Sequence, residues 1–343
     1  MISAMSTATD LFQRVAREAG VSPSSVTLAL QGSPRISPAT KKRVFLVSRK
    51  LGYRASKVKG IHDVNFAVLY CASSESGGVT SPISLSLDAQ IWEGMAGRAS
   101  ELGVSLFNFN VTQDGKRVRF ESLPTLLRRD QLDGAAVMGN INESFVRFLR
   151  RVRIPFVVAG NDELGIPVDQ VKFGVERGLY DLIIELHKRG KHKRFGFMSA
   201  ASDIPINRHL LRGYRSAVTE LGLLDENLVA ISTDRFASGF EMAERLLKQK
   251  PAPMFLFGAN IRLAIEAAIT AARMGIPYDS GLELATPHND PTRNLGYPLH
   301  LLSANLTKAG RWVFDRLMTL HKNPQARPCT LEVDCVPMFN RGV

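Results

Sequence analysis

Between Ser22 and Gln31 the chain strings small hydroxyl and amide side chains along one short segment: Ser22, Ser24, Ser25, Thr27 and Gln31, with Leu28 among them. Such groups donate and accept hydrogen bonds without carrying a fixed charge, the chemistry that discriminates base edges in a major groove. Helical spacing puts Ser24, Ser25, Thr27, Leu28 and Gln31 on one face, and Val26, Ala29 and Leu30 on the other. Ser22, Ser25 and Arg35 suit backbone phosphates, while Ser24, Thr27, Leu28 and Gln31 suit base edges. Pro23 and Leu28 offer apolar contact to thymine methyls, and Gln31 either pairs with adenine or rests on the backbone.

The flanking residues must hold that segment. Phe12, Val15, Ala16 and Ala19 predict a first helix from Leu11, with Asp10 placed to cap it and Gln13 to close a capping box. Gly20 supplies the backbone freedom to leave that helix, and Val21 plugs the corner. Ser22 caps the second helix, with Pro23 at its first position, where a missing N–H costs nothing. Ser37-Pro38 repeats the pattern for a third helix. Val44, Val47 and Leu51 form its buried stripe, Lys41, Lys42, Arg43, Arg49 and Lys50 its solvent side, and Gly52 its end. Two helices about a tight turn, followed by a third, make a helix-turn-helix head.

The order VAREAGVS-x-x-SVTLALQGSPRISPATKKRV-x-x-x-x-x-KLGYR, from Val15 to Arg54, resembles the head of lactose-repressor-type (LacI/GalR) transcription regulators. The resemblance implies a sequence-specific DNA-binding repressor acting as a homodimer on a two-fold operator, with Tyr53 and Arg54 in the DNA-contacting set. It divides the chain into a head at 1–54, a linker at 55–64 and a two-lobed effector-binding and dimerisation domain at 65–343. The linker departs from the family: where relatives carry Pro-Asn and a hinge helix with a leucine wedge, this chain has Ala55-Ser-Lys-Val-Lys-Gly-Ile-His62. Gly60 weakens any helix there, so Lys57 and Lys59 are expected on phosphates rather than flanking a deep wedge.

Charge agrees with a phosphate-gripping head. Residues 1–60 hold 11 Lys and Arg against Asp10 and Glu18, while the whole chain of 343 residues carries a net charge of +12. A balance of +9 is thus packed into one small module and only +3 lies in the rest, an electrostatic footprint for duplex DNA. The competing reading is a solvated basic tail. No apolar run approaches the roughly 20 residues of a membrane span, and no signal sequence opens the chain. Three cysteines, Cys71, Cys329 and Cys335, are few and lack metal-type spacing, so a reduced cytoplasmic compartment is expected.

From about Asn65 short apolar runs alternate with longer amphipathic ones. Strands are predicted at Phe66–Cys71, Val104–Phe109, Gly134–Met138, Pro155–Ala159, Arg194–Met198, Leu228–Ser232, Met254–Phe257 and Leu282–Ala285. Helices are predicted near 86–102, 117–129, 143–152, 176–189, 208–222, 237–249, 260–275 and 307–321. That alternation predicts an α/β fold of parallel sheets with helices on both faces. Eight units exceed one sheet, so two lobes follow. Asp133-Gly134, Gly213-Tyr214, Gly239-Phe240 and Phe339-Asn-Arg341 resemble, in order, landmarks of the family's periplasmic-binding-protein-like domain. That fold implies three crossings between lobes, with the tail after about 290 contributing to both. The resemblance also implies a dimer surface on helices 86–102 and 117–129.

Ligands of open α/β sheets gather beyond the carboxyl ends of strands. The effector candidates are therefore Ser73, Ser74, Asn140, Asn161, Asp162, Asn260 and His288, with Arg208 as a charged donor and Phe236 as an apolar face. The competing reading of each is a loop cap or turn. Sugar-binding relatives have an Asn-Asp pair where Asn260-Ile261 stands, an Asp where Thr286-Pro-His288 stands, an arginine at Leu210 and an acid at Gly174. Losing them counts against an ordinary sugar effector and leaves a different ligand, or none, open.

Two other classes are weighed. An enzyme would need a phosphate-cradling or nucleophile motif, and GxGxxG, GxxxxGK[ST] and GxSxG are missing; no catalytic residue, cofactor or metal is expected. Arg189-Gly-Lys191 mimics a phosphate loop but has Glu185 in place of its first glycine, and His187 and His192 read as a basic loop. A solute-binding protein of transport shares the two-lobed fold but needs export, and it has no use for a DNA-binding head.

Overall fold

The computed structural model describes residues 2–339 apart from 52, 54–63, 74–81, 114–126, 128–130, 140, 142, 161–162, 191, 201, 203, 235, 278–280 and 288–297. Three helices open the chain: α1 (Ile2–Glu18), α2 (Pro23–Leu30) and α3 (Pro38–Leu51). Two six-stranded sheets follow. The first contains β1 (Asn65–Ser73), β2 (Ser105–Gln113), β3 (Gly134–Gly139), β4 (Phe156–Ala159) and β5 (Gln170–Phe173), with helices α4 (Pro82–Glu101) and α5 (Glu143–Arg151) between them. After α6 (Val175–Lys188) the second sheet begins, with β6 (Phe195–Ser199), α7 (Pro205–Glu220), β7 (Val229–Ile231), α8 (Gly239–Leu247), β8 (Phe255–Gly258), α9 (Ile261–Arg273), β9 (Glu283–Thr286) and β10 (Leu299–Ala304). The chain then returns through α10 (Leu306–Lys322) and β11 (Thr330–Val333) to the first lobe and ends at β12 (Cys335–Met338) in the second.

The sheet orders are β11-β5-β4-β3-β1-β2 and β12-β10-β9-β8-β6-β7. Every pairing is parallel except β10 with β12. The expected doubly layered α/β fold is present, and the tail does serve both lobes. Three crossings join them, each a single residue between elements: Gly174, Asn305 and Asp334. Gly174 N–H donates to Val333 O at 2.9 Å, tying two crossings together. A Cβ on Gly178 would lie 2.6 Å from Cys335 O, so α6 lies against the third crossing at a spacing only glycine allows. One apolar cluster runs through the crossings, from Phe66 and Met95 in the first lobe, by Phe173 and Val333, to Phe197 and Tyr214 in the second.

Two expectations about the head are corrected. The first helix begins at Ile2 rather than Leu11, so Asp10 lies inside it and caps nothing. Residues 2–9 contain no glycine or proline to stop the helix propagating upstream. Arg49, expected on the solvent side of α3, is 5% exposed and its Nε donates to Val152 O at 2.5 Å. Helix α3 has two inward faces. Val44, with Val47 and Leu51 beside it, meets the head core, whereas Phe45 joins Leu127, Leu149 and Val152 in the first lobe. Arg153 of that lobe also donates to Lys50 O at 3.1 Å.

A third correction concerns His192. It is no part of a solvated basic loop: it is buried, and its Nε2 lies 2.8 Å from Glu283 Oε2. His300 Nε2, also buried, lies 2.9 Å from the same oxygen. The histidine precedes β6 and the glutamate opens β9, so the contact needs the finished sheet. The three cysteines are unpaired with one another, and burial pushes the Cys335 thiol up to about 12. No helix among the described residues is long and apolar enough to cross a membrane.

Candidate functional site

Helix α2 is built as its sequence predicts. Ser22 accepts from Ser25 N–H at 3.2 Å, Pro23 occupies the first turn, and Gln31 closes the carboxyl end with its N–H on Thr27 O at 2.9 Å. Gly20 and Gly32 take φ of +62° and +74°, the left-handed backbone that turns the chain at either side of α2. Val26, Ala29 and Leu30 are buried against Val15, Ala16 and Ala19 of α1. Ser24, Thr27 and Gln31 are exposed, and Ser25 and Leu28 half-buried. The outward face is therefore uncharged, and Ser22 Oγ lies 2.9 Å from both Ser24 Oγ and Ser25 Oγ.

The cations follow this face along the chain rather than occupy it. Arg35, Lys42 and Arg43 are exposed on the loop and on the first turns of α3. Ser37 caps α3, its Oγ accepting from Thr40 N–H at 3.2 Å. Tyr53, one of the DNA candidates, has its ring 5.4 Å from Phe12 and is packed against the head core; burial raises its pKa. Arg54, Lys57 and Lys59 lie outside the described residues, as does nearly all of the linker.

The second candidate region lies beyond the carboxyl ends of the strands. Ser73 is the last residue of β1. Ser74, Asn140, Asn161, Asp162 and His288 lie outside the described residues. Asn260 caps α9, accepting from Leu263 N–H at 3.1 Å. Phe236 is 84% exposed, on a turn made by Asp234 Oδ1 accepting its N–H at 2.8 Å.

Arg208 is engaged from the opposite lobe. Its Nη2 donates to Glu163 Oε2 at 3.0 Å, and Arg212 Nη2 donates to Glu163 Oε1 at 3.0 Å. His209 stands between two carboxylates, with Nε2 3.4 Å from Glu163 Oε1 and Nδ1 3.1 Å from Glu176 Oε2. Arg212 Nε completes the group on Glu176 Oε2 at 3.1 Å. Hydrogen bonding from Arg208, opposed by burial and helped by Arg212, holds the Glu163 carboxyl below its ordinary range. Sequence reasoning found Arg208 but missed Arg212, Glu163, His209 and Glu176. The spacing of Arg208 and Arg212 put them on one helical face, a signal that was available. Glu163 sits 45 residues earlier and carries no local sign of its partner.

Among the described residues no cluster of histidine, cysteine or carboxylate side chains is arranged to hold a metal ion. Residues 12–56 match the family described as bacterial regulatory proteins, lacI family. The chain is 28% identical to catabolite control protein A of Priestia megaterium over 276 residues, covering 79% of this chain and 80% of that one. It is 25% identical to the HTH-type transcriptional regulator AglR of Rhizobium meliloti, over 89% of this chain and 86% of that one. Among solved structures, a transcriptional regulator CelR–cellobiose complex superposes with a TM-score of 0.66 at 22% identity, covering 97% of this chain and 99% of the other. A lac repressor dimer bound to operator and the anti-inducer ONPF gives 0.67 at 17% identity, over 95% and 97%. These structural likenesses establish the fold.

Proposed function

We propose that this chain, whose residues 12–56 match the lacI family of bacterial regulatory proteins, represses transcription as a homodimer on a near-palindromic operator, with DNA affinity set by a small ligand between its lobes. The observation that carries the reading is α2: an exposed, uncharged face of Ser24, Thr27 and Gln31 followed along the chain by Arg35, Lys42 and Arg43. These cations supply sequence-independent grip on phosphates, while the uncharged face tests base identity. Relatives that are named transcriptional regulators, one solved as a dimer on its operator, support the same reading. The reading places the protein in the cytoplasm and gives it no catalytic step, cofactor or metal.

The lobes offer a route from ligand to DNA. Helix α3 is fastened to the first lobe by Phe45 and by Arg49 on Val152 O. A change in lobe angle therefore moves the head, and in a dimer it alters the spacing of two heads. A ligand drives that change only to the extent that it binds one angle more tightly than the other.

Competition gel shifts and footprinting on the DNA upstream of the chain's own and neighbouring genes test the proposal. Wild type is expected to protect a two-fold site and to outcompete random duplex. Gln31→Ala should cost about 1–3 kcal/mol of discrimination at one base pair in each half-site. Arg35→Gln should weaken all duplexes alike and lower the salt slope by about one. Equal binding to specific and random duplex at moderate salt, with and without candidate ligands, would overturn it.

A further inference from the structure

The ion cluster at the lobe junction is not used by the DNA-reading face, and its geometry says what it recognises. Glu163 follows β4 of the first lobe, whereas Arg208, His209 and Arg212 occupy the first turns of α7 in the second. Three nitrogen groups on one short helical stretch thus converge on one carboxylate brought from across the cleft, two of them at 3.0 Å and one at 3.4 Å. Glu176 buttresses Arg212 and His209 from the far side. The N-terminus of α7 itself favours negative charge. Its cap is Ile204, which has no side-chain acceptor, and its first turn holds no acid.

Glu163 is the carboxylate that Arg208 and Arg212 share, and Glu176 is a second acceptor for Arg212 and His209. The arginine side chains are 39% and 45% exposed and Glu163 39%, so solute reaches the pair without unfolding either lobe. We propose that this is an anion site in which Glu163 is a tethered occupant: an effector bearing a carboxylate or phosphate group takes Arg208, His209 and Arg212 in exchange for Glu163. The inference rests on the inter-lobe ligand reading and supplies the ligand's chemical class. Arginine forks bind the planar edge of a carboxylate or phosphate through two hydrogen bonds, an option that neutral hydroxyls do not offer as well. Exchange also releases a link between the loop after β4 and α7, so binding and a change of lobe angle are one event. A weak monoanion competes poorly with a tethered carboxylate, whereas a phosphate or a polycarboxylate brings more charge and more acceptor oxygens.

The test uses the full chain, with inorganic phosphate and citrate as probes, glucose as the neutral comparison and chloride at matched ionic strength. Thermal shift and calorimetry should show wild type stabilised by phosphate or citrate and not by chloride. Glu163→Gln should bind them about tenfold more tightly, as when a competitor engaged about nine-tenths of the time is removed. Arg208→Gln combined with Arg212→Gln should abolish the response, and Arg208→Lys should retain part of it. Unliganded melting of each variant checks its fold. No gain in Glu163→Gln, or an unchanged response in the double variant, overturns the proposal. The latter would place the anion on the basic head instead. Stabilisation by glucose alone would leave the inter-lobe ligand reading standing and sink the anion class. Gel shifts of the same variants without added anion report on the DNA-binding reading separately.

Discussion

The two lobes set out their strands in the same order, and each buries a carboxylate at the foot of its sheet, but they hold it by different means. In the first lobe Asp133, just before β3, accepts Asn65 N–H at 2.8 Å, with His321 of α10 4.0 Å away and partly exposed. In the second, Glu283 at the start of β9 takes His192 and His300 on one oxygen, all three side chains buried. A backbone N–H is present wherever the strand forms and does not titrate. Two imidazoles reach Glu283 only once the sheet is assembled, so the second lobe's carboxylate depends on side chains where the first lobe's depends on backbone. The first lobe in turn carries a contact the second lacks, the docking of α3 by Phe45 and Arg49.

The largest expected effect separates the two carboxylates. Glu283→Gln should cost about 2–4 kcal/mol in chemical denaturation, because two buried imidazoles lose a charged acceptor. Asp133→Asn should cost about 1–2 kcal/mol, since an amide oxygen still accepts the backbone N–H. Equal losses would break the comparison. Proton linkage sharpens it. Burial pushes the Glu283 carboxyl up, but hydrogen bonds from His192 and His300 outweigh that and hold it far below the ordinary value of 4.5. A depressed folded-state pKa contributes stability that is present above the ordinary value and lost as pH falls below it. Wild type should therefore lose stability steadily below about pH 4.5, and Glu283→Gln should flatten that limb.

A smaller effect concerns the first lobe alone. Arg49→Met keeps the aliphatic stem and removes the donor to Val152 O, and it should cost about 1–2 kcal/mol. Limited proteolysis should cut between the head and the first lobe sooner in this variant, with the two lobes resisting as before. Unchanged proteolysis would show that Phe45 holds α3 without the arginine. The smallest effect falls on the surface of the same lobe. Arg311 and Arg98 draw the exposed Glu101 carboxyl down to about 2. Solvent and salt screen such a network, so Glu101→Gln should leave the unfolding midpoint at 0.15 M salt unmoved within error.

How much was legible in the residues varies with the distance over which each feature is specified. Most of the head lies within about thirty consecutive residues: Ser22 and Ser37 as caps, Pro23 and Pro38 at first positions, Gly20 and Gly32 at left-handed turns. The placement of Val26, Ala29 and Leu30 opposite Ser24, Thr27 and Gln31 needs only helical period. Apolar runs likewise located β1 to β4 and β6 to β9. Strands β5, β10, β11 and β12 escaped notice. Gln170-Val-Lys-Phe and Thr330-Leu-Glu-Val mix polar and apolar residues, His300 interrupts β10, and Pro337 falls in β12, a strand tolerable only at a sheet edge. Such segments become strands because a neighbour offers hydrogen bonds.

The sequence alone therefore determined the second helix with its uncharged outward face and the alternation of strands and helices, since both follow from backbone propensity and side-chain period over a few turns. Tertiary structure alone decided that Arg49 is buried, that Glu163 answers Arg208 and Arg212 across the cleft, and that His192, Glu283 and His300 share one oxygen. In those cases the partner sits 17 to 103 residues away. A charged side chain reads as solvated until the fold supplies a carbonyl or carboxylate to meet it.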